Sequence, residues 1–289
     1  MSLMSKLLMS IVIVAVATSS CSAKKDADSS QKMDIPSNKA LVKYIKRNIV
    51  KNPKVTINGV TIVEEKTHKD LPGWTILLTT MDLTYNKKEI HAPEIMFVKD
   101  GFVTNHLVNL KTGNDYRNEI KPTVPKDMYK ESHLLFGNKD AAHKVLIFSD
   151  PQCPFCQEVV PEIFKAAKEN PTKLAVYYYH LPLLRIHPVS DVITRIMHVA
   201  QHEGKVDKIE KIYSLKIKPQ ETNATRIIEA VRKHADYSVT QKQIDAKEVK
   251  EAIKSDAESA AKMMVSGTPT VYIDGEWDKM RDGYKKLIK

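Results

Sequence analysis

The chain has 289 residues, of which 42% are apolar and 28% charged, a balance that excludes a disordered or fibrous protein and leaves room for two domains. Its 45 basic and 35 acidic side chains give a net charge of +10, spread as 19 basic against 14 acidic over 21–135 and 25 against 21 over 136–289. With no basic stripe interleaved with aromatics this reads as solvated surface and excludes a nucleic-acid groove, while three cysteines are too few for a disulfide scaffold.

Residues 1–20 read as an export signal. Lys6 provides the positive start and Leu7 to Ala17 an apolar core of 11 residues, followed by small residues. The run falls short of the roughly 18 residues of a membrane-spanning helix. Cys21 has two readings: an N-terminal cysteine that carries a lipid anchor, as in bacterial lipoproteins, or a residue discarded by cleavage after Ala23. Residues 21–36 form a polar tether in either case.

Residues 37–111 read as a small α+β unit. Ser37 is placed to cap a helix whose Leu41, Tyr44, Ile45 and Ile49 recur at helical spacing, and Asn52-Pro53 stops it. Strand patterns follow at Val55–Val63, Trp74–Tyr85, Glu94–Val98 and Phe102–Val108, with Asp100-Gly101 as a hairpin turn. One helix on a meander of roughly 70 residues has little core, and such a unit is often completed by dimerisation. Residues 112–133, polar and carrying Pro122 and Pro125, form the linker.

Residues 134–289 read as a small α/β domain. His143–Ser149 is a buried strand, Pro154–Asn170 a helix and Leu174–Leu181 a second strand. A helical insertion spans about 188–261. Thr270–Ile273 is a third strand, and Lys279–Lys289 closes as a helix.

The chemistry concentrates at Cys153-Pro154-Phe155-Cys156, between the buried strand and its helix. Thiols at i and i+3 on a first helical turn can close a disulfide. The first is expected to be accessible and the second to point inward. Unpaired amides and the helix dipole stabilise a thiolate at that end, and Pro154 fits the first turn because its missing N–H has no partner to lose. Neither Pro154 nor Phe155 has a side-chain donor, so helix and backbone donors are expected to supply most of the thiolate's stabilisation. A structural disulfide fits the same two residues. Half of a zinc site needs two further ligands, and the one spaced pair, His198 and His202, is expected on the solvated face opposite Val189, Val192, Ile193, Ile196, Met197 and Ala200. No metal is expected.

Three features resemble the thioredoxin superfamily: the strand–CxxC–helix context, Pro161 five residues after Cys156, and Thr268-Pro269 before the third strand. Within it, residues 148–156 (Phe-Ser-Asp-Pro-Gln-Cys-Pro-Phe-Cys) and the threonine before the distant proline are similar to periplasmic disulfide isomerases of the DsbC/DsbG type. The helical insertion departs from that pattern. The resemblance implies a C-terminal thioredoxin-like catalytic domain behind an N-terminal α+β dimerisation-type domain, with Pro269 in cis. It implies Cys153 as attacking thiolate and Cys156 as resolving thiol, with Thr268, Pro269, Pro154 and Phe155 shaping the client groove. Phe148 is expected in the core.

The expected function is that of an exported, homodimeric thiol–disulfide oxidoreductase that isomerises or reduces client disulfides. Its only redox group would be the Cys153–Cys156 pair, with no other cofactor. Its partners would be misoxidised exported proteins and a membrane redox partner. A disulfide oxidase is the near alternative; a non-catalytic periplasmic chaperone or binding protein is the alternative of another class. Residues 221–225 (Glu-Thr-Asn-Ala-Thr) resemble a bacterial glycosylation sequon at Asn223, but a helix cap is the favoured reading there.

Overall fold

The structure, a computed structural model, describes residues 35–289. The export signal, Cys21 and nearly all of the tether lie outside the described residues.

Ser37 caps α1 (Asn38–Asn48) by accepting from the Ala40 amide, and the helix buries Leu41 and Ile45. It lies on a four-stranded antiparallel sheet, β1 (Thr56–Lys66), β2 (Thr75–Tyr85), β3 (Lys88–Lys99) and β4 (Phe102–Thr104), in the order β1-β2-β3-β4. Leu77, Met81 and Met96 face the helix. On the other face Ile76, Leu78 and Phe97 pack against Tyr116 and Ile120. The linker is therefore not a bare spacer: those two residues cover the first sheet, while Val124 and Met128 enter the core of the second.

Two strand limits differ from the sequence reading by four residues or more. β3 begins six residues earlier than expected, because Asn86 and Lys87 both take positive φ (50° and 62°) and close a tight hairpin. Its first four residues are exposed and polar enough to hide the pattern. β4 stops at Thr104 instead of Val108. The expected turn at Asp100-Gly101 is present, both residues having positive φ.

The second sheet has the order β5-β7-β6-β8-β9. Its strands are β5 (Leu134–Phe136), β6 (His143–Ser149), β7 (Leu174–His180), β8 (Thr270–Ile273) and β9 (Glu276–Trp277). β6 and β7 run parallel, joined through α2 (Pro154–Glu169), whereas β8 runs antiparallel to β6. The parallel pair needs a crossover, and α2 is that crossover. Val160, Ile163, Phe164 and Ala167 seat α2 on the sheet. The segment expected as a helical insertion contains α3 (Ser190–His202), α4 (Val206–Tyr213), α5 (Ala224–Ala235), α6 (Gln241–Ile244) and α7 (Lys247–Lys262). Asn223 caps α5, its side chain accepting from the Arg226 amide. The closing helix is much shorter than expected: α8 covers only Tyr284–Leu287, since Arg281 takes positive φ and breaks the pattern. Among the described residues no helix is long and apolar enough to cross a membrane.

Candidate active site

β6 is an apolar run buried over its last five residues, and it delivers the chain at Ser149 and Asp150, both fully buried. Asp150 then organises the turn. One carboxylate oxygen accepts from the Gln152 amide (2.8 Å) and the Ser190 hydroxyl (2.6 Å). The other accepts from the Leu183 amide (2.8 Å) and contacts His187 Nδ1 (3.0 Å). A buried carboxylate needs such a set of donors, and this one ties the cysteine loop to the segment that leaves β7.

Cys153 is the N-cap of α2, with Pro154 at the first helical position. Both cysteines are free thiols. Cys156 faces the core as expected, fully buried. Cys153 differs from its expectation: it is only 6% exposed, because α2's first turn and the Thr268 loop close around it. Its sulfur lies 3.5 Å from the Thr268 carbonyl oxygen. The Thr268-Pro269 bond is cis. Arg281 Nε donates to the Pro269 carbonyl (2.8 Å) and Thr270 Oγ1 to that of Gly267 (2.7 Å), so this loop is held from both sides.

The two thiols are driven apart in acidity. Cys153 is held well below the ordinary thiol range, first by a hydrogen bond from the Cys156 thiol, against the opposing effect of burial, then by Thr268 and the amides of Cys156 and Phe155. This revises the expectation that helix and backbone donors dominate: the neighbouring thiol contributes more than the amides. Cys156 moves the other way, pushed up by burial first and by Cys153 second, with Ser149 and Thr268 opposing. The Thr268 hydroxyl finds no hydrogen-bond partner by strict geometry. A thiolate on either sulfur is the acceptor that fits it.

Phe155 stands out at 68% exposure beside the buried pair, with Leu184 and Ile186 of the Asp150-anchored loop also exposed. Phe148 is core, as expected. A cavity of about 210 Å³ opens beside Thr268, lined also by Lys121, Trp277 and Arg281. A larger one of about 560 Å³ contains neither cysteine and is lined by His133, His180, His198 and His202. There the expectation for His198 is overturned. It is half-buried, packs against His180 and His202, and burial pushes its imidazole down to about 4. Among the described residues no group of three or more His, Cys, Asp or Glu side chains is placed to hold a metal ion.

Ser149, Asp150 and Tyr213 were not singled out as site residues by the sequence. Ser149 and Asp150 fell inside the segment 148–156 that carried the resemblance, but no role was assigned to either, and Tyr213 gave no signal.

Residues 130–289, more than half the chain, match the family model described as Thioredoxin. The chain belongs to the thioredoxin family. It is 23% identical over 167 residues to a probable disulfide bond formation protein D of Bacillus anthracis, spanning 53% of this chain and 77% of that one. It is also 23% identical over 158 residues to a Na(+)/H(+) antiporter NhaA 1 of a Mycobacterium species, where the match spans 54% of this chain and 26% of the antiporter. Among solved structures, BdbD of Bacillus subtilis aligns at a TM-score of 0.47 and 16% identity, covering 58% of this chain and 95% of that one. A thioredoxin-like oxidoreductase of Silicibacter pomeroyi aligns at 0.45 and 21%, covering 56% and 97%.

Proposed function

We propose that this protein is an exported thiol–disulfide oxidoreductase that isomerises or reduces disulfides of client proteins at Cys153 and Cys156. The observation that carries the reading is the split acidity of the pair: a Cys153 thiolate at the start of α2, set against the cis-Pro269 loop, with a protonated Cys156 behind it. The Cys153 thiolate attacks a client disulfide. The client's S–S bond breaks, a Cys153–client bond forms, and the second client sulfur leaves as thiolate. For isomerisation, a client thiolate displaces Cys153. For reduction, Cys156 attacks Cys153 Sγ and the client leaves reduced. Thr268, Pro269, Pro154 and Phe155 line the approach, with backbone groups at Thr268 available to an extended peptide.

A disulfide oxidase is the second reading, favoured by the same stabilised Cys153 thiolate. Stabilising the thiolate stabilises the dithiol, which makes the disulfide a stronger oxidant. One experiment with two arms separates the readings. Reduced protein is given a client with scrambled disulfides, and oxidised protein is given a fully reduced client. Faster recovery in the first arm supports the isomerase and in the second the oxidase. Wild type no better than Cys153→Ser in both arms would refute catalysis altogether and leave a non-catalytic binding protein.

A further inference from the structure

Cys156 poses a problem that the cysteine motif does not solve. It is fully buried, and burial and Cys153 both oppose its ionisation. To resolve a mixed disulfide its sulfur must nonetheless become a thiolate. Once Cys153 is tied to a client its own opposition is gone, but the burial of Cys156 remains.

Three hydroxyls are stacked behind that sulfur. Ser149 opposes the rise at Cys156 as a hydrogen-bonding side chain, and it ends β6, the strand that delivers the chain to the cysteine turn. Tyr213 OH donates to Ser149 Oγ at 3.0 Å. Tyr178 OH and Tyr213 OH share a short hydrogen bond. All three side chains are fully buried. Each hydroxyl carries a single hydrogen, and the inventory sets a direction. Tyr213 gives its hydrogen to Ser149, so Tyr178 gives its own to Tyr213, and the Ser149 hydrogen is left for sulfur. Ser149 also acts on the Tyr178 phenol as a hydrogen-bonding side chain that lowers it. If Tyr178 donates to Ser149 directly, Ser149's hydrogen is again the one left over. Burial raises both phenols, so they remain donors through the neutral range.

The residues come from four places in the chain: Cys156 from α2, Ser149 from the end of β6, Tyr178 from β7 and Tyr213 from the last position of α4. Tyr213 thus brings the helical segment between β7 and β8 into the chemistry. The titratable groups around the pair are Cys153, Asp150 on the turn after β6, Tyr178 and Tyr213. Asp150 already accepts four contacts of its own, and none of them comes from this chain of hydroxyls.

We propose that Ser149, Tyr213 and Tyr178 are positioning residues that aim a polarised chain of hydroxyl donors at Cys156 and stabilise its thiolate in the resolving step. The proposal rests on the thiol-exchange reading above. The step balances without another oxidant. Cys156 loses its proton and attacks Cys153 Sγ, the Cys153–client bond breaks as the Cys153–Cys156 bond forms, and the departing client sulfur takes up a proton. Linked donors in a low-dielectric interior reinforce one another, so loss of an outer member also weakens the inner hydrogen bond.

The test uses the full chain on a Cys21→Ser background, reduced and mixed with 5,5′-dithiobis(2-nitrobenzoate). A first release of thionitrobenzoate reports attack by Cys153, and a second reports resolution by Cys156. Ser149→Ala should leave the first phase unchanged and slow the second by about ten-fold or more, the scale of a hydrogen bond to a charged group. Tyr213→Phe should slow the second phase by a smaller factor, about three-fold, since Ser149 also acts directly on Tyr178. In both variants the pH midpoint of the second phase should move upward, because donors to the thiolate have been lost. Ser149→Thr, which keeps the hydroxyl, should restore the rate. A second phase unaltered in rate and midpoint, or both phases slowed together, would overturn the proposal. A wild type with no first phase would overturn the thiol-exchange reading instead.

Discussion

At Cys153 a helix start, a neighbouring thiol and the Thr268 loop converge on one sulfur. Its depressed pKa is also a statement about stability. In the reduced protein this contribution is absent below the lowered pKa, grows as pH rises, and is complete above the unfolded thiol's value of about 8.5. We therefore expect reduced protein to show thiolate absorbance near 240 nm at neutral pH. It should be lost on acidification and on Cys153→Ser but kept by Cys156→Ser in weakened form; a spectrum flat from pH 4 to 8 would refute this. The proposed reactive residues were legible because CxxC and Thr268-Pro269 have fixed types and spacing. Ser149, Asp150 and Tyr213 were not, since a buried hydroxyl or carboxylate acquires its role only from partners at distances of 33 to 64 residues along the chain.

At the scale of elements, the long apolar runs were readable and the short ones were not. β6, α2 and β7 are close to their expected limits because each is a dense hydrophobic segment. β5 and β9 have three and two residues, too few to show any period, and exist because neighbouring strands offer them edges. His198 was misplaced because a helix stripe gives the centre of the buried face but not its width, and α3 is packed on more than one side. One position in this sheet admits no side chain. Gly137 follows β5 with φ of +81°, and an added Cβ would stand 1.8 Å from the Leu174 carbonyl oxygen. Gly137→Ala should therefore destabilise by at least about 3 kcal/mol, from the left-handed backbone and the displaced β5–β7 pairing together. Urea unfolding measures it, and a midpoint equal to wild type would refute the packing described.

At the scale of the whole molecule, the described residues 35–289 form one compact unit. The two sheets are joined by more than chain connectivity. Glu64 on β1 accepts from the Thr123 amide and hydroxyl at 2.8 and 2.7 Å, and Lys66 lies 3.6 Å from Glu276 on β9. The linker's role in this joint was hidden, because its four apolar anchors, Tyr116, Ile120, Val124 and Met128, are spread four residues apart through a polar stretch broken by Pro122 and Pro125 that forms only short 3-10 turns. Among the described residues β1 is an outer strand of 11 residues that pairs with β2 alone, and a strand edge of that length left open among them invites pairing with a second copy. We expect a dimer at micromolar concentration by light scattering; a monomer would exclude it. The +10 charge is spread along the sequence.

The most direct test of the central claim is to catch the intermediate. Cys156→Ala protein, unable to resolve, is incubated with a client carrying scrambled disulfides and then alkylated and separated without reductant. The predicted result is a protein–client adduct, mapped by mass spectrometry to Cys153, cleaved by reductant and absent when Cys153→Ser is added. A client that stays unlinked, or is linked only through Cys21, would contradict it.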